Sequence, residues 1–189
     1  LGYTLWERVK FCQQELNYAR QGRFLEVLLK HCVVAGATLA FKSDLRDRLL
    51  PIPADWYYDA WLAAILAATS RVSVMEQPMQ YYRQHDRNAL GGARRSLISE
   101  VRAAFSLDRK THYQEEITRW SEFLGRLGTE VAADTKLLLA AKLAHLERRA
   151  DLPFNRLARL PSVAAETARG GYARYSRNWG SIAIDLLVK

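Results

Sequence analysis

Near residue 92 the spacing of apolar residues changes, dividing the chain into regions 1–92 and 93–189. From Ala93 onward apolar residues recur at three- and four-residue intervals. Leu97, Val101, Ala104 and Phe105, then Ile117, Trp120, Phe123 and Leu124, form the stripes of amphipathic helices. A further helix is predicted over 132–149, carrying Leu137, Leu138, Leu139, Ala141, Leu143 and Leu146. Pro153, Pro161 and Gly170-Gly171 break the remaining stretch into short pieces, and the last helix is predicted over 172–188.

The first region is mixed. Residues 4–30 have helical spacing, punctuated at Gln21-Gly22. The run Val33-Val34-Ala35-Gly36-Ala37-Thr38-Leu39-Ala40-Phe41 is apolar, holds β-formers and has one internal glycine, which predicts a buried strand with a bend or a close backbone approach. Ser43-Asp44 opens a short helix, and Pro51-Ile52-Pro53 forces an extended loop. Residues 55–69 read as a loop feeding a helix. Short strands are predicted at 71–76 and 78–84, with Met79, Tyr81 and Arg83 on one face of the second. The expected fold class is α/β followed by α. So few strands leave open edges, so further strands are expected before residue 1, and a chain starting at Leu1 is expected to be a processed or truncated piece.

The formal charge of +8 and pI of about 9.7 suit an anionic partner, or simply a solvated basic surface. Arginine carries most of the excess, and its planar fork matches phosphate geometry. Cys12 and Cys32 stand in apolar settings outside any CxxC pair and read as small core residues. His31, His85, His112 and His145 are too scattered for a zinc site. The longest uncharged apolar stretch, 60–69, is too short to span a bilayer, and the N-terminus lacks the order of a signal peptide.

Four places could carry chemistry. Asp59 stands among aromatics at a helix start, where it is either a general base or a helix cap. Arg83 and His85 lie two apart at a predicted strand end, where they either meet solvent or contact a diphosphate and its metal. The small-residue segment around Gly36 either packs in the core or lets a ligand approach the backbone. In the tail, Arg169, Arg174 and Arg177 with Tyr172, Tyr175 and Trp179 border an apolar face that either docks on the core or lies on anionic lipid.

In order along the chain, Val34-Ala35-Gly36-Ala37-Thr38, Pro51-Ile52-Pro53, Tyr58-Asp59-Ala60-Trp61-Leu62-Ala63 and Tyr82-Arg83-Gln84-His85-Asp86-Arg87-Asn88 resemble bacterial family 2 glycosyltransferases of the rhamnosyltransferase-like group. The likeness is best over 32–92, and the Arg174–Ser181 stretch is similar to that group's tail. The resemblance implies the C-terminal, acceptor-side part of a GT-A domain over 1–92, without its donor-binding half, followed by a helical region over 93–189. It implies Asp59 as the catalytic base, Gly36, Trp61, Arg83 and His85 as substrate-binding residues, and His85 as a ligand of a divalent metal, Mg or Mn. Tyr58 departs from the family's usual His, Glu or Asp before the base, and Ala60 replaces a common Trp.

The implied reaction is inverting transfer from a nucleotide-sugar donor to a glycan or lipid-linked acceptor in surface polysaccharide assembly. These 189 residues alone are expected not to turn over a sugar nucleotide. The implied location is cytoplasmic, peripheral on the inner face of the plasma membrane through 169–188. The alternative is a non-catalytic basic helical binding or scaffold module. A nucleic-acid partner is not expected: Glu100, Asp108, Glu115 and Glu116 interleave with Arg94, Arg95, Arg102, Arg109 and Lys110, and no nucleic-acid motif is present.

Overall fold

The computed structural model describes residues 4–81, 108–128 and 131–188, and every regular element among them is a helix. This corrects the expected α/β class: among the described residues no strand and no sheet forms, so the chain is not an α/β GT-A domain. The run predicted as a strand closes on itself. At Gly36–Thr38 it makes a 3₁₀ turn in which the Thr38 N–H and hydroxyl both donate to the Ala35 carbonyl, at 2.8 and 2.7 Å. A strand needs a neighbour to accept its backbone bonds; a turn satisfies them locally. Along 71–76 the alternation itself is present, since Val72 and Val74 are half-buried while Arg71, Ser73 and Met75 are exposed. The segment lies extended against the helices, with an Arg20–Glu76 ion pair at its end, and pairs with no strand among the described residues.

Ten α-helices succeed one another among the described residues. The predicted helical stretch 4–30 is three of them: α1 (Leu5–Val9), α2 (Gln13–Arg20) and α3 (Phe24–Leu28). Thr4 and Glu7 form a reciprocal cap on α1, and Lys10 ends it in a left-handed conformation. Next come α4 (Arg46–Leu49) and α5 (Tyr58–Thr69), separated by the Pro51-Ile52-Pro53 loop. Then α6 (Arg109–Leu127) and α7 (Ala133–Ala150) pack along each other as the longest pair. The stretch predicted as one final helix is broken at Ser176–Asn178: α8 (Leu160–Ala168) precedes α9 (Gly171–Tyr175) and α10 (Trp179–Leu187).

The main core joins both regions of the sequence. Leu25, Leu29, Leu49, Trp61 and Ile65 meet Tyr113, Trp120, Phe123, Leu139 and Leu146 in one cluster. Its centre is aromatic: Trp56, Trp61, Trp120 and Phe123 pack with ring centroids 5.3–5.8 Å apart, mostly edge to face. A second cluster gathers Phe11, Leu16, Phe24, Val27, Leu28 and Ala63, and a third holds Leu152, Val163, Tyr172 and Ile182. Cys12 and Cys32 are exposed free thiols, which corrects their reading as core residues. Among the described residues no helix is long and apolar enough to cross a membrane.

Candidate functional site

The start of α5 and the 3₁₀ turn at Gly36–Thr38 meet at Asp59. Tyr57 occupies the cap position without a side-chain cap bond, and Asp59 lies inside the first turn. A carboxylate there is favoured by the free N–H groups and the positive end of the helix dipole. Its Oδ1 accepts from the Ala60 N–H at 2.9 Å, and its Oδ2 accepts from the Gly36 N–H at 3.3 Å, across 23 residues of chain. One bond to each oxygen fixes the plane of the carboxylate and leaves further lone pairs without a hydrogen-bond partner among the described residues. Asp59 is half-buried, and Tyr57 and Tyr58 beside it are exposed.

Gly36 lets the Tyr58 ring lie directly on the backbone at this junction. A Cβ on it would stand 2.0 Å from the Tyr58 hydroxyl oxygen, because the Tyr58 ring lies against the turn backbone. The order of motifs places Gly36 and Asp59 in one site, and the fold brings them into contact. Trp61 goes the other way. Only 1% of it is exposed, its indole N–H donates to the Leu49 carbonyl at 2.8 Å, and its ring packs on Trp56 and Phe123. It supports the site from the core and presents no face to a substrate. Arg83 and His85 lie outside the described residues, so the metal ligand expected at His85 does too. Among the described residues no group of three His, Cys, Asp or Glu side chains is placed to hold a metal ion.

A second polar constellation, which the sequence reading does not contain, lies inside the C-terminal helices. Lys142, His145 and Arg149 project from α7 on the same stripe as Leu139 and Leu146. The His145 Nδ1 is 2.6 Å from Glu166 Oε1, and its Nε2 is 2.7 Å from the Ser176 hydroxyl. Glu166 also accepts two bonds from Arg148, at 2.6 and 3.0 Å. Burial pushes the imidazole down to about 4, against the opposing pull of Glu166, so at neutral pH it is uncharged. Its Nδ1–H then donates to Glu166, and its Nε2 accepts from Ser176. Burial alone would raise Glu166, but the bonds from Arg148 and His145 outweigh it and hold the carboxyl below its usual range. Burial likewise pushes the Lys142 ammonium, which donates to the Tyr175 carbonyl at 2.8 Å, down to about 8.

The order Ser176–His145–Glu166 is that of a nucleophile, a base and its orienting acid. Its surroundings are those of a packed core. The Ser176 oxygen already receives Arg149 Nη1 at 2.7 Å, and both Ser176 and His145 are buried. The neighbouring cavity of about 420 Å³ is lined by Arg148, Glu166, Arg169 and Tyr172, and by neither Ser176 nor His145. The network therefore organises the helices around buried groups. One sequence signal marks it: polar residues at 142, 145 and 149 share the spacing of an apolar stripe. No protein-family model, no curated protein and no solved structure matches this chain.

Proposed function

We propose that this chain carries the acceptor-activating part of an inverting glycosyltransferase, with Asp59 taking the proton from an acceptor hydroxyl. The observation that carries the reading is the setting of Asp59. Two backbone N–H groups orient its carboxylate at a helix start, it remains partly open to solvent, and two exposed tyrosines flank it. A general base needs that combination of fixed direction and free lone pairs. Tyr57 and Tyr58 supply flat apolar faces with polar tips, suited to a sugar acceptor. The order of the motifs around Gly36 and Asp59 supports the same reading without requiring a sheet.

In the reaction, the acceptor oxygen attacks the anomeric carbon of a nucleotide-sugar in line, the glycosidic bond forms, and the nucleoside diphosphate leaves as the acceptor proton passes to Asp59. Arg83 and His85 are proposed for the donor diphosphate. A divalent metal, where bound, would neutralise charge on that leaving group.

The test is Asp59→Asn in the full polypeptide as its source produces it, assayed for nucleoside diphosphate release from nucleotide-sugars with glycan and lipid-linked acceptors. Loss of a general base costs roughly 10²- to 10⁴-fold. Near-full activity in Asp59→Asn removes the base role. The second reading, a non-catalytic basic helical module, is favoured by the exposed arginines at the C-terminal end, among them Arg169, Arg174 and Arg177. It predicts no donor-dependent release from either protein.

A further inference from the structure

Helix α10 buries Ile182 in the third core cluster and, unusually, a charge beside it. Its one charged residue, Asp185, is completely buried, while Trp179, Gly180, Ala183 and Leu187 form its exposed face. A helix docked on its own core places charge outward and apolar residues inward. Here the inward carboxylate is held by Arg149, Tyr113 and Tyr172, and the outward stripe is left apolar, with Trp179 76% exposed.

A second exposed apolar segment is fixed beside it. Phe154 and Leu157, 79% and 76% exposed, precede the buried residue Arg159. The Arg159 guanidinium donates to the carbonyls of Pro153 and Phe154 on one side and of Asp185 and Val188 on the other, at 2.6–3.1 Å. One side chain thus clamps the Phe154–Leu157 segment to the end of α10, so the two apolar surfaces move as one body.

Within residues 152–188 the exposed charge has a single sign, with the exposed Asp151 directly before that span. Between residues 152 and 188 the acids are Glu166 and Asp185, both buried and paired, whereas Arg156, Arg169, Arg174 and Arg177 are exposed. Apolar side chains beside exposed arginines, with no exposed carboxylate in that span, match the interface of an anionic bilayer: headgroup phosphates for the guanidiniums, and the acyl boundary for the aromatic and leucine side chains. We infer that the face formed by Phe154, Leu157, Trp179 and Leu187 is a peripheral docking surface for anionic phospholipid. It differs from the sequence expectation of a continuous amphipathic helix over 172–188, because it takes half its anchors from the segment before α8, where Leu157 opens a 3₁₀ turn. It stands independently of the glycosyl-transfer reading.

The experiment is co-sedimentation of the purified protein with vesicles of phosphatidylcholine alone and with about one-third phosphatidylglycerol, at low and high salt. Binding is expected to the anionic vesicles, weakened by salt, with quenching of Trp179 by brominated acyl chains. The double variant Trp179→Asp, Leu187→Asp alters only exposed positions and should lower partitioning roughly tenfold or more, as should Arg174→Glu with Arg177→Glu. Circular dichroism melts of each variant check that the fold is retained. Absence of binding to anionic vesicles overturns the inference. So does binding that survives the first double variant in a folded protein. A concentration-dependent dimer abolished by the same variant would assign the face to a second copy of the chain and likewise overturn it. The assay contains no sugar nucleotide, so its outcome is separate from that of the Asp59 test.

Discussion

Arg149 on α7 and Asp185 on α10, 36 residues apart in sequence, form a buried ion pair at 2.6 Å that joins the two helices. The carboxylate is completely enclosed and also accepts the hydroxyls of Tyr113 and Tyr172, each at 2.7 Å. The guanidinium further donates to Ser176 and to Tyr113. Its charge stays in place because attraction to the surrounding acids outweighs the cost of burial, which by itself would lower the group.

Breaking this pair from one side leaves the other charge buried without a partner. Arg149→Met and Asp185→Leu should each destabilise the protein by about 3–5 kcal/mol. The double variant should lose much less than the sum, because neither charge is then left behind. Denaturant unfolding of the three variants checks this. Additive losses would mean the pair does not act as a unit.

His145 makes stability depend on pH. Its folded pKa is pushed from 6.5 to about 4 by burial, with the Arg149 and Lys142 charges adding to the effect and Glu166 opposing it. The unfolded chain therefore takes up this proton first. The stability is fully present above pH 6.5 and is lost as pH falls toward 4, by about 3 kcal/mol. Glu166, held below its usual range, adds a loss of the same sign as pH falls through its own lowered pKa. Thermal melts from pH 7.5 to 4 should show a falling Tm, and His145→Gln should flatten the part between pH 6.5 and 4.

Gly171 opens α9 against this network. A Cβ there would stand 1.9 Å from Glu166 Oε1 and 2.8 Å from His145 Nδ1. Glu166 is tied by Arg148 and His145 and has little freedom to retreat. Gly171→Ala should cost about 1–3 kcal/mol as overpacking, with a Tm lower by several degrees. By contrast, a Cβ on Gly125 or Gly180 meets nothing within 4 Å, so alanine at either place should leave the melt nearly unchanged.

The sequence carries the helices well and the sheet badly. The stripes of α6 and α7, the loop at Pro51-Ile52-Pro53 and the breaks at Pro161 and Gly170-Gly171 come from local spacing and local breakers, which tertiary context seldom overrides. The predicted strands depend on partners elsewhere in the chain. Val33 and Val34 have the chemistry of a strand, and Val72 and Val74 its alternation, but pairing is a non-local property that single-segment periodicity does not contain. The same limit hides the polar network. Nothing local to Asp185 tells that α7 places Arg149 opposite it, and nothing local to Trp61, a substrate-binding residue by the resemblance, tells that its N–H bonds to Leu49 and its ring packs on Phe123. The contact between Gly36 and Asp59 is legible only through the order of motifs.

That contact supplies the last prediction. An Asn at position 59 has one carbonyl oxygen where Asp59 has two, so it can accept from Ala60 or from Gly36 and not from both with equal geometry. Asp59→Asn should therefore cost only about 1 kcal/mol of stability, the value of one hydrogen bond. Gly36→Ala acts differently: the clash is with the end of the exposed Tyr58 side chain, which can swing into solvent. Stability should change little, while the acceptor face beside Asp59 is rearranged. If Asp59 is the base, Asp59→Asn should lower kcat with KM nearly unchanged, and Gly36→Ala should raise the KM for acceptor with a smaller effect on kcat. Adding Tyr58→Ala to Gly36→Ala should then change KM no further, because the group that the new methyl displaces is already gone. Parallel losses of activity and of Tm in both variants would instead assign Gly36 and Asp59 to folding alone.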